Sequence, residues 1–278
     1  MVRPAQNCVA QAKHQSNVMV YILDMIKVVL IKKIKAMTIH FLKLFFRLLG
    51  ISYQNQALIR ALGLSSFKTT MRLKNKSRSQ LGQDLFVVFE LKSKKNGYFV
   101  EFGATNGIDL SNTYLLETEF SWRGILAEPA RIWEQQLKTN RSNASIETLC
   151  VWKDSNLSLT FLETDVPQLS TVDSFSAVDI HASTRLAGKN YEVRTISLND
   201  LLMKHRAPNY IDYLSIDTEG SEYEILKAFN FKEFKFGIIT VEHNYTPQRE
   251  LIFALLTSHG YIRKYENISE FDDWYVLR

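Results

Sequence analysis

Tyr98-Phe-Val-Glu-Phe-Gly-Ala-Thr-Asn-Gly107 is the stretch whose reading decides the fold of this 278-residue chain. A short apolar run, Tyr98 to Glu101, reads as a strand that breaks into a turn punctuated by Gly103 and Gly107. Glycine at such a turn accepts dihedrals closed to other residues and lets a ligand approach the backbone closely. A dinucleotide fingerprint, Gly-x-Gly-x-x-Gly, would aim backbone amides at a pyrophosphate. Here its first glycine position is Glu101, and a carboxylate there repels phosphate. The turn formed by Glu101, Gly103, Ala104, Thr105, Asn106 and Gly107 therefore suits a cationic ligand.

Working outward, Gly124-Ile-Leu-Ala127 reads as a second buried strand ending in Glu128 and Pro129, with Glu128 lying 27 positions after Glu101 (128 minus 101). In a doubly wound sheet, a carboxylate about 20 residues past the glycine turn accepts hydrogen bonds from ribose hydroxyls. Glu128 is expected in that role. Two further apolar runs end in polar groups: Ile211 to Ile216 enters the acidic turn Asp217-Thr-Glu-Gly-Ser-Glu222, and Gly237 to Val241 enters Glu242-His-Asn244. Helical segments are expected over 108–120, 131–139, 221–228 and 247–258, and strands over 145–151, 261–266 and 273–277. Alternation of this kind predicts an α/β fold with a parallel sheet covered on both faces. Ligands of such sheets bind at the carboxyl ends of the strands.

The ordered set Ser79-Gln-Leu-Gly-Gln-Asp84, Glu101-Phe-Gly-Ala-Thr-Asn-Gly107, Ser111-Asn-Thr-Tyr-Leu-Leu-Glu117, Trp122-Arg-Gly-Ile-Leu-Ala-Glu-Pro129 and Ile216-Asp-Thr-Glu-Gly-Ser-Glu222 resembles the FkbM family of S-adenosylmethionine-dependent O-methyltransferases. The resemblance spans residues 79–278, with Glu101 where the family more usually has Asp and Cys150 where a smaller residue is expected. It implies a Rossmann-like, doubly wound, mostly parallel seven-stranded sheet closed by a hairpin. It also implies S-adenosylmethionine as cofactor, whose sulfonium and amino groups carry positive charge. Cys150 and Val151, at the end of the third expected strand, join the expected cofactor residues. The implied acceptor is a hydroxyl on a sugar, glycan, glycolipid or secondary metabolite.

Methyl transfer from a sulfonium needs an oxygen nucleophile held in line and a base for its proton. Asp217, Glu242 and His243 are the expected catalytic residues, with Glu219 as a further candidate. Glu222 reads instead as charge placed in the first turn of the following helix. No metal is required, yet Asp217, Glu242 and Asn244 offer oxygens that would suit Mg2+ in a metal-assisted reaction. The polar stretch 154–195 reads as a substrate-facing flap carrying His181, Arg185 and Lys189.

The net charge of +5 is unevenly distributed: residues 1–78 hold 14 of the 34 Lys and Arg but one acid, Asp24, which leaves 20 basic against 28 acidic residues in 79–278. An acidic catalytic region argues against a nucleic-acid partner. Within a helical extension spanning 1–64, Leu23, Ile26, Leu30, Ile34, Met37, Phe41, Leu44 and Leu48 form a stripe at helical spacing, and Lys and Arg occupy the other faces. Three uses of residues 18–49 stay open: peripheral contact with an anionic membrane, oligomer or partner binding, and cover for the catalytic domain. Charges interrupt the stripe too often for a membrane span or a secretion signal. Residues 65–78 read as a linker. The two cysteines, Cys8 and Cys150, support no disulfide framework, so a reduced, cytoplasmic setting is expected. Two other readings are a non-catalytic adaptor of the same fold at a membrane surface and an RNA methyltransferase.

Overall fold

The computed structural model describes residues 67–176 and 182–278. The expected extension 1–64, its helix over 18–49 and His181 lie outside the described residues. Helices α1 (Phe67–Leu73) and α2 (Gln83–Glu90) precede β1 (Tyr98–Phe102), α3 (Tyr114–Phe120), β2 (Arg123–Ala127), α4 (Glu134–Asn140) and β3 (Ser145–Glu147). Then come β4 (Cys150–Trp152), β5 (Ser158–Glu163), β6 (Thr171–Val172), β7 (Lys189–Ser197) and α5 (Leu198–Lys204). The chain closes with β8 (Tyr210–Ile216), α6 (Glu222–Ala228), β9 (Lys235–Glu242), α7 (Gln248–Ser258), β10 (Tyr261–Lys264) and β11 (Asp272–Leu277).

Seven strands form one sheet in the order β10-β11-β9-β8-β1-β2-β3. Neighbours from β9 to β3 pair in parallel, and β11 pairs antiparallel with both β9 and β10, so the sheet is mixed. Chain order reverses between β1 and β8, where a ligand crevice opens in sheets of this kind. β1, β8 and β9 are buried almost throughout because helices cover both faces. One apolar layer joins Val100, Ile125, Leu214, Ile239, Leu201, Ile225 and Leu256, and the other joins Phe99, Leu126, Tyr213, Ile238, Phe86, Leu115 and Trp274.

Three segments differ from the sequence-based expectation. The linker over 65–78 is helical at Phe67–Leu73, and Leu73, 1% exposed, packs in the same apolar layer as Leu81, Leu85 and Phe86. Tertiary burial there overrides a segment too short to show a period. The helix expected from residue 108 begins only at Tyr114, because the backbone N–H groups of Ile108 and Asp109 donate to Asn106 Oδ1 and that of Asn112 donates to Glu101. The flap over 154–195 contains strands: β5 pairs with β6 and β7, and β4 joins β7, in a second mixed sheet of four strands. Ala130, Cys150, Phe161, Val172 and Val193 form its apolar core. The single strand expected over 145–151 is divided, with β3 in the large sheet and β4 in the small one.

Candidate active site

A cavity of about 360 Å³ opens over the carboxyl ends of β1, β2, β8 and β9 and is also lined by residues 167–170, which lead into β6, and by Val172 of β6. That volume suits a small-molecule or cofactor ligand. Among the described residues five carboxyl groups line it, those of Glu101, Glu128, Asp217, Glu219 and Glu242, and no Lys, Arg or His does.

Glu101, the penultimate residue of β1, accepts three hydrogen bonds: Asn112 N donates at 2.7 Å, Ser111 Oγ at 3.0 Å, and Thr113 Oγ1 donates to it as well. Beneath these groups Arg141, fully buried, donates to Gly107 O, Ser111 Oγ and Thr113 Oγ1 and pairs with Glu117 at 2.7 Å. Burial raises the Glu101 carboxyl above its ordinary range, against the opposing pull of Arg141 and of these donors.

The glycines of the turn act on protein more than on ligand. Gly103, at φ +69°, leaves room for the carbonyl oxygen of Asp217, which a Cβ would meet at 2.1 Å. Gly107, at φ +82°, leaves room for the Arg141 side chain at 2.6 Å. Asn106 spends its side chain capping the turn onto Ile108, and Asp109 bonds to it in turn. Ala104, Asn106 and Gly107 are absent from the lining, whereas Glu101, Gly103, Thr105, Glu128, Pro129, Cys150 and Val151 contribute to it.

Glu128 follows β2 with both oxygens engaged: Thr105 N donates to Oε2 at 2.9 Å and Ala130 N to Oε1 at 2.8 Å. Burial, with lesser help from Asp217 and Glu163, pushes its carboxyl up to about 7 against those two bonds. Burial and then Glu128 push the neighbouring Cys150 thiol up to about 12, so the cysteine lines the site as a neutral apolar group.

Asp217 directly follows β8, Glu242 is the last residue of the adjacent β9, and their carboxyl groups lie in hydrogen-bonding contact. Burial raises Asp217 to about 6, and burial together with the charges of Asp217, Glu219 and Glu222 holds Glu242 well above the carboxylate range. One proton shared by such a pair is the expected state at neutral pH. Glu219, 5% exposed, receives Arg185 Nη2 at 2.8 Å and Asn244 Nδ2 at 3.3 Å on one oxygen. Glu222 accepts from Thr218 N and Gly220 N and shapes the acidic turn.

His243 is absent from the lining. Its Nδ1 accepts from Tyr245 N at 3.0 Å, its Nε2 lies 3.8 Å from Asp273, and burial lowers its basicity. The structure therefore does not bring it together with Asp217 and Glu242 in the cavity wall. Asn244 lines the cavity and donates its amide nitrogen to Glu219 at 3.3 Å. Arg185 belongs to the framework, since it is buried on Glu219 and on Leu169 O, and Lys189 is an exposed residue of β7. Lining residues that the sequence reading did not assign include Gln80, Asn112, Ser215, Phe161, Leu169 and Tyr245. Gln80 and Asn112 stand inside motifs quoted for the resemblance, while the Phe161 and Leu169 positions depend on the second sheet.

Comparison with known proteins agrees with this geometry. The model of the Methyltransferase FkbM domain matches residues 101–271. The chain belongs to the FkbM methyltransferase family. The described lining residues fall within the matched region, except Gln80, which precedes it. No curated protein matches the chain. Solved structures to which the chain shows some similarity include fibrillarin from Aeropyrum pernix with natively bound S-adenosyl-L-methionine, at 12% identity over 72% of this chain and 74% of that one, TM-score 0.37. Precorrin-6y C5,15-methyltransferase from Geobacter metallireducens is similar at 10% identity over 69% and 84%, TM-score 0.37. A fibrillarin pre-rRNA processing protein from Methanococcus jannaschii is similar at 11% identity over 66% of each chain, TM-score 0.32. Among the described residues no helix is long and apolar enough to cross a membrane.

Proposed function

We propose that this FkbM methyltransferase moves a methyl group from S-adenosylmethionine to a hydroxyl on a small uncharged acceptor, such as a sugar, glycan, glycolipid or secondary metabolite. The observation that carries the reading is a cavity lined, among the described residues, by five carboxyl groups and no basic residue, at the strand ends where β1 and β8 part. Such a field favours a sulfonium cofactor and opposes a polyphosphate or a nucleic-acid strand.

The roles follow from position. Glu128, beside the β1 turn, accepts the ribose hydroxyls, and Thr105 and Ala130 hold its carboxyl in place. Cys150, Val151 and Phe161 offer an apolar wall for the adenine ring. Glu101 and Asn112 face the cationic end of the cofactor, with Asn112 Nδ2 fixed on Ser215 Oγ at 2.9 Å. Asp217 and Glu242 form the basic pair. The acceptor oxygen loses its proton to the ionised member of the pair as that oxygen attacks the methyl carbon and the carbon–sulfur bond breaks, leaving S-adenosylhomocysteine. Leu110, Leu169, Tyr245 and Phe271 give the acceptor side an apolar lining.

Formation of S-adenosylhomocysteine from S-adenosylmethionine in an acceptor panel tests the proposal. Turnover with hydroxylated uncharged acceptors, lost in Glu242→Gln, is expected. Turnover confined to RNA or to amine acceptors would overturn the reading.

A further inference from the structure

Tyr245 is an aromatic residue at a backbone position that favours glycine. His243 O accepts from Thr246 N at 2.8 Å, which closes a β-turn whose central residues, Asn244 and Tyr245, have φ of +43° and +56°. Turns with both central residues at positive φ take Asn readily at the first position and glycine at the second. A bulky side chain at the second is strained. Burial does not offset that strain, because Tyr245 is 63% exposed. The ring nevertheless lines the cavity, and His243 holds it there. Nδ1 accepts from Tyr245 N at 3.0 Å, and the two rings meet edge to face with centroids 5.5 Å apart. The imidazole is itself fixed: its side chain is fully buried, and an accepting Nδ1 places the proton on Nε2, 3.8 Å from Asp273. The backbone N–H groups of His243 and Asn244 both donate to Phe271 O. A strained, exposed aromatic ring is thus anchored at the cavity mouth, and strain kept without a return in packing marks residues that meet a ligand.

We infer that Tyr245 is the platform on which a saccharide ring of the acceptor stacks, and that His243 is the residue that positions it. The inference rests on the hydroxyl-acceptor reading above and narrows its acceptor to a sugar. A tyrosine ring has a negative face, and the C–H bonds on one face of a pyranose turn positive hydrogens toward it. Hydroxyls at the sugar's edge both donate and accept, as carboxamides do, and Gln80 and Gln168, both exposed, bring two carboxamides to the same cavity. The loop that carries Tyr245 starts at Glu242, the last residue of β9, so a stacked ring lies over the same strand end as the proposed base.

The test uses saturation-transfer-difference NMR on the full chain in the presence of S-adenosylhomocysteine, with the methyl glycopyranosides of glucose, galactose and mannose as probes. Transfer concentrated on the C–H protons of one face of at least one glycoside is expected. It should be lost in Tyr245→Gly and His243→Ala and kept in Tyr245→Phe and in His243→Asn, whose Oδ1 replaces the Nδ1 acceptor. Because glycine suits the turn, Tyr245→Gly should keep or raise the urea midpoint, which a structural role for the ring would lower. In turnover, the same variant should raise KM for a sugar acceptor about tenfold with kcat little changed, the mark of a residue that binds ground and transition state alike. No transfer to any glycoside by the folded wild type, or equal transfer in Tyr245→Gly, would overturn the inference. Hydroxylated acceptors turned over with the same KM in Tyr245→Gly would remove the platform and leave the methyl-transfer reading standing. Glycoside contact without any binding of S-adenosylhomocysteine would support the platform while refuting the methyl-donor reading.

Discussion

Glu128 gives the account its most quantitative consequence. Burial raises its carboxyl to about 7, and its proposed task of accepting ribose hydroxyls uses the ionised form. The apparent dissociation constant for S-adenosylmethionine should therefore scale as one plus ten to the power (pKa minus pH). With a pKa of about 7, that factor is about 1.1 at pH 8 and about 33 at pH 5.5, so affinity falls about 30-fold, or about 2 kcal/mol. Calorimetric titration at both pH values in the wild type and in Glu128→Gln measures it. The variant should bind roughly 10- to 100-fold more weakly at pH 8, because hydrogen bonds to a charged acceptor contribute about 1.5 to 3 kcal/mol. It should also lose most of the pH dependence. A wild-type affinity that is flat across the range, or an equal slope in the variant, would refute the assignment. The same shift has a stability consequence of opposite sense. The folded state binds this proton more tightly than the unfolded chain, so stability falls as pH rises from about 4.5 to 7, by about 3 kcal/mol for a shift of about 2.5 units. Denaturant midpoints in the wild type and in Glu128→Gln isolate that slope.

Asp217→Asn and Glu242→Gln should each lower kcat by roughly 100-fold or more, the usual contribution of a positioned base, while calorimetry shows cofactor affinity changed far less. In the wild type the rate should rise with pH through about 6, where Asp217 ionises, and a rate independent of pH there would count against the pair. Gly103→Ala places a methyl group 2.1 Å from the Asp217 carbonyl at φ +69° and should cost more than about 2 kcal/mol in urea unfolding. At Gly260, where φ is +90° and the nearest atom stands at 3.8 Å, the same change should cost about 1 kcal/mol. Arg185→Met leaves Glu219 buried without its guanidinium and should cost about 3 to 5 kcal/mol; a loss under about 1 would show the pair to be dispensable. Leu73→Ala should cost about 2 to 5 kcal/mol in the same assay if α1 is part of the core, and near zero if it is a linker.

The parallel strands were legible because each is buried on both faces and so spells a continuous apolar run, as in Phe236 to Val241, and because each ends in a carboxylate at the same sheet edge. Glu101, Glu128, Asp217 and Glu242 could be placed together from that edge alone. The second sheet was harder to read. Tyr191, Val193 and Thr195 alternate with exposed Glu192 and Arg194, a two-residue period visible in β7. The short β4 and β6 carry no such pattern, and the polar turns between them resemble a loop. Its wall of the cavity, Phe161 to Val172, was therefore assigned to a flap. Side-chain direction was the other hidden quantity. His243 and Asn244 follow a strand end and share the chemistry of the site, yet one turns to Asp273 and the other offers nitrogen to Glu219. Gly103 and Gly107 were expected to admit a ligand, whereas the space they leave is filled by Asp217 and Arg141, partners distant in the chain.

Equilibrium dialysis of S-adenosylmethionine labelled with tritium on its methyl group, at pH 8 against the folded full chain, tests the central claim most directly. The account predicts one molecule retained per chain at micromolar concentration and released by excess S-adenosylhomocysteine. No retention at about 1 mM, a limit near −4 kcal/mol, by protein with an intact circular dichroism spectrum would contradict it.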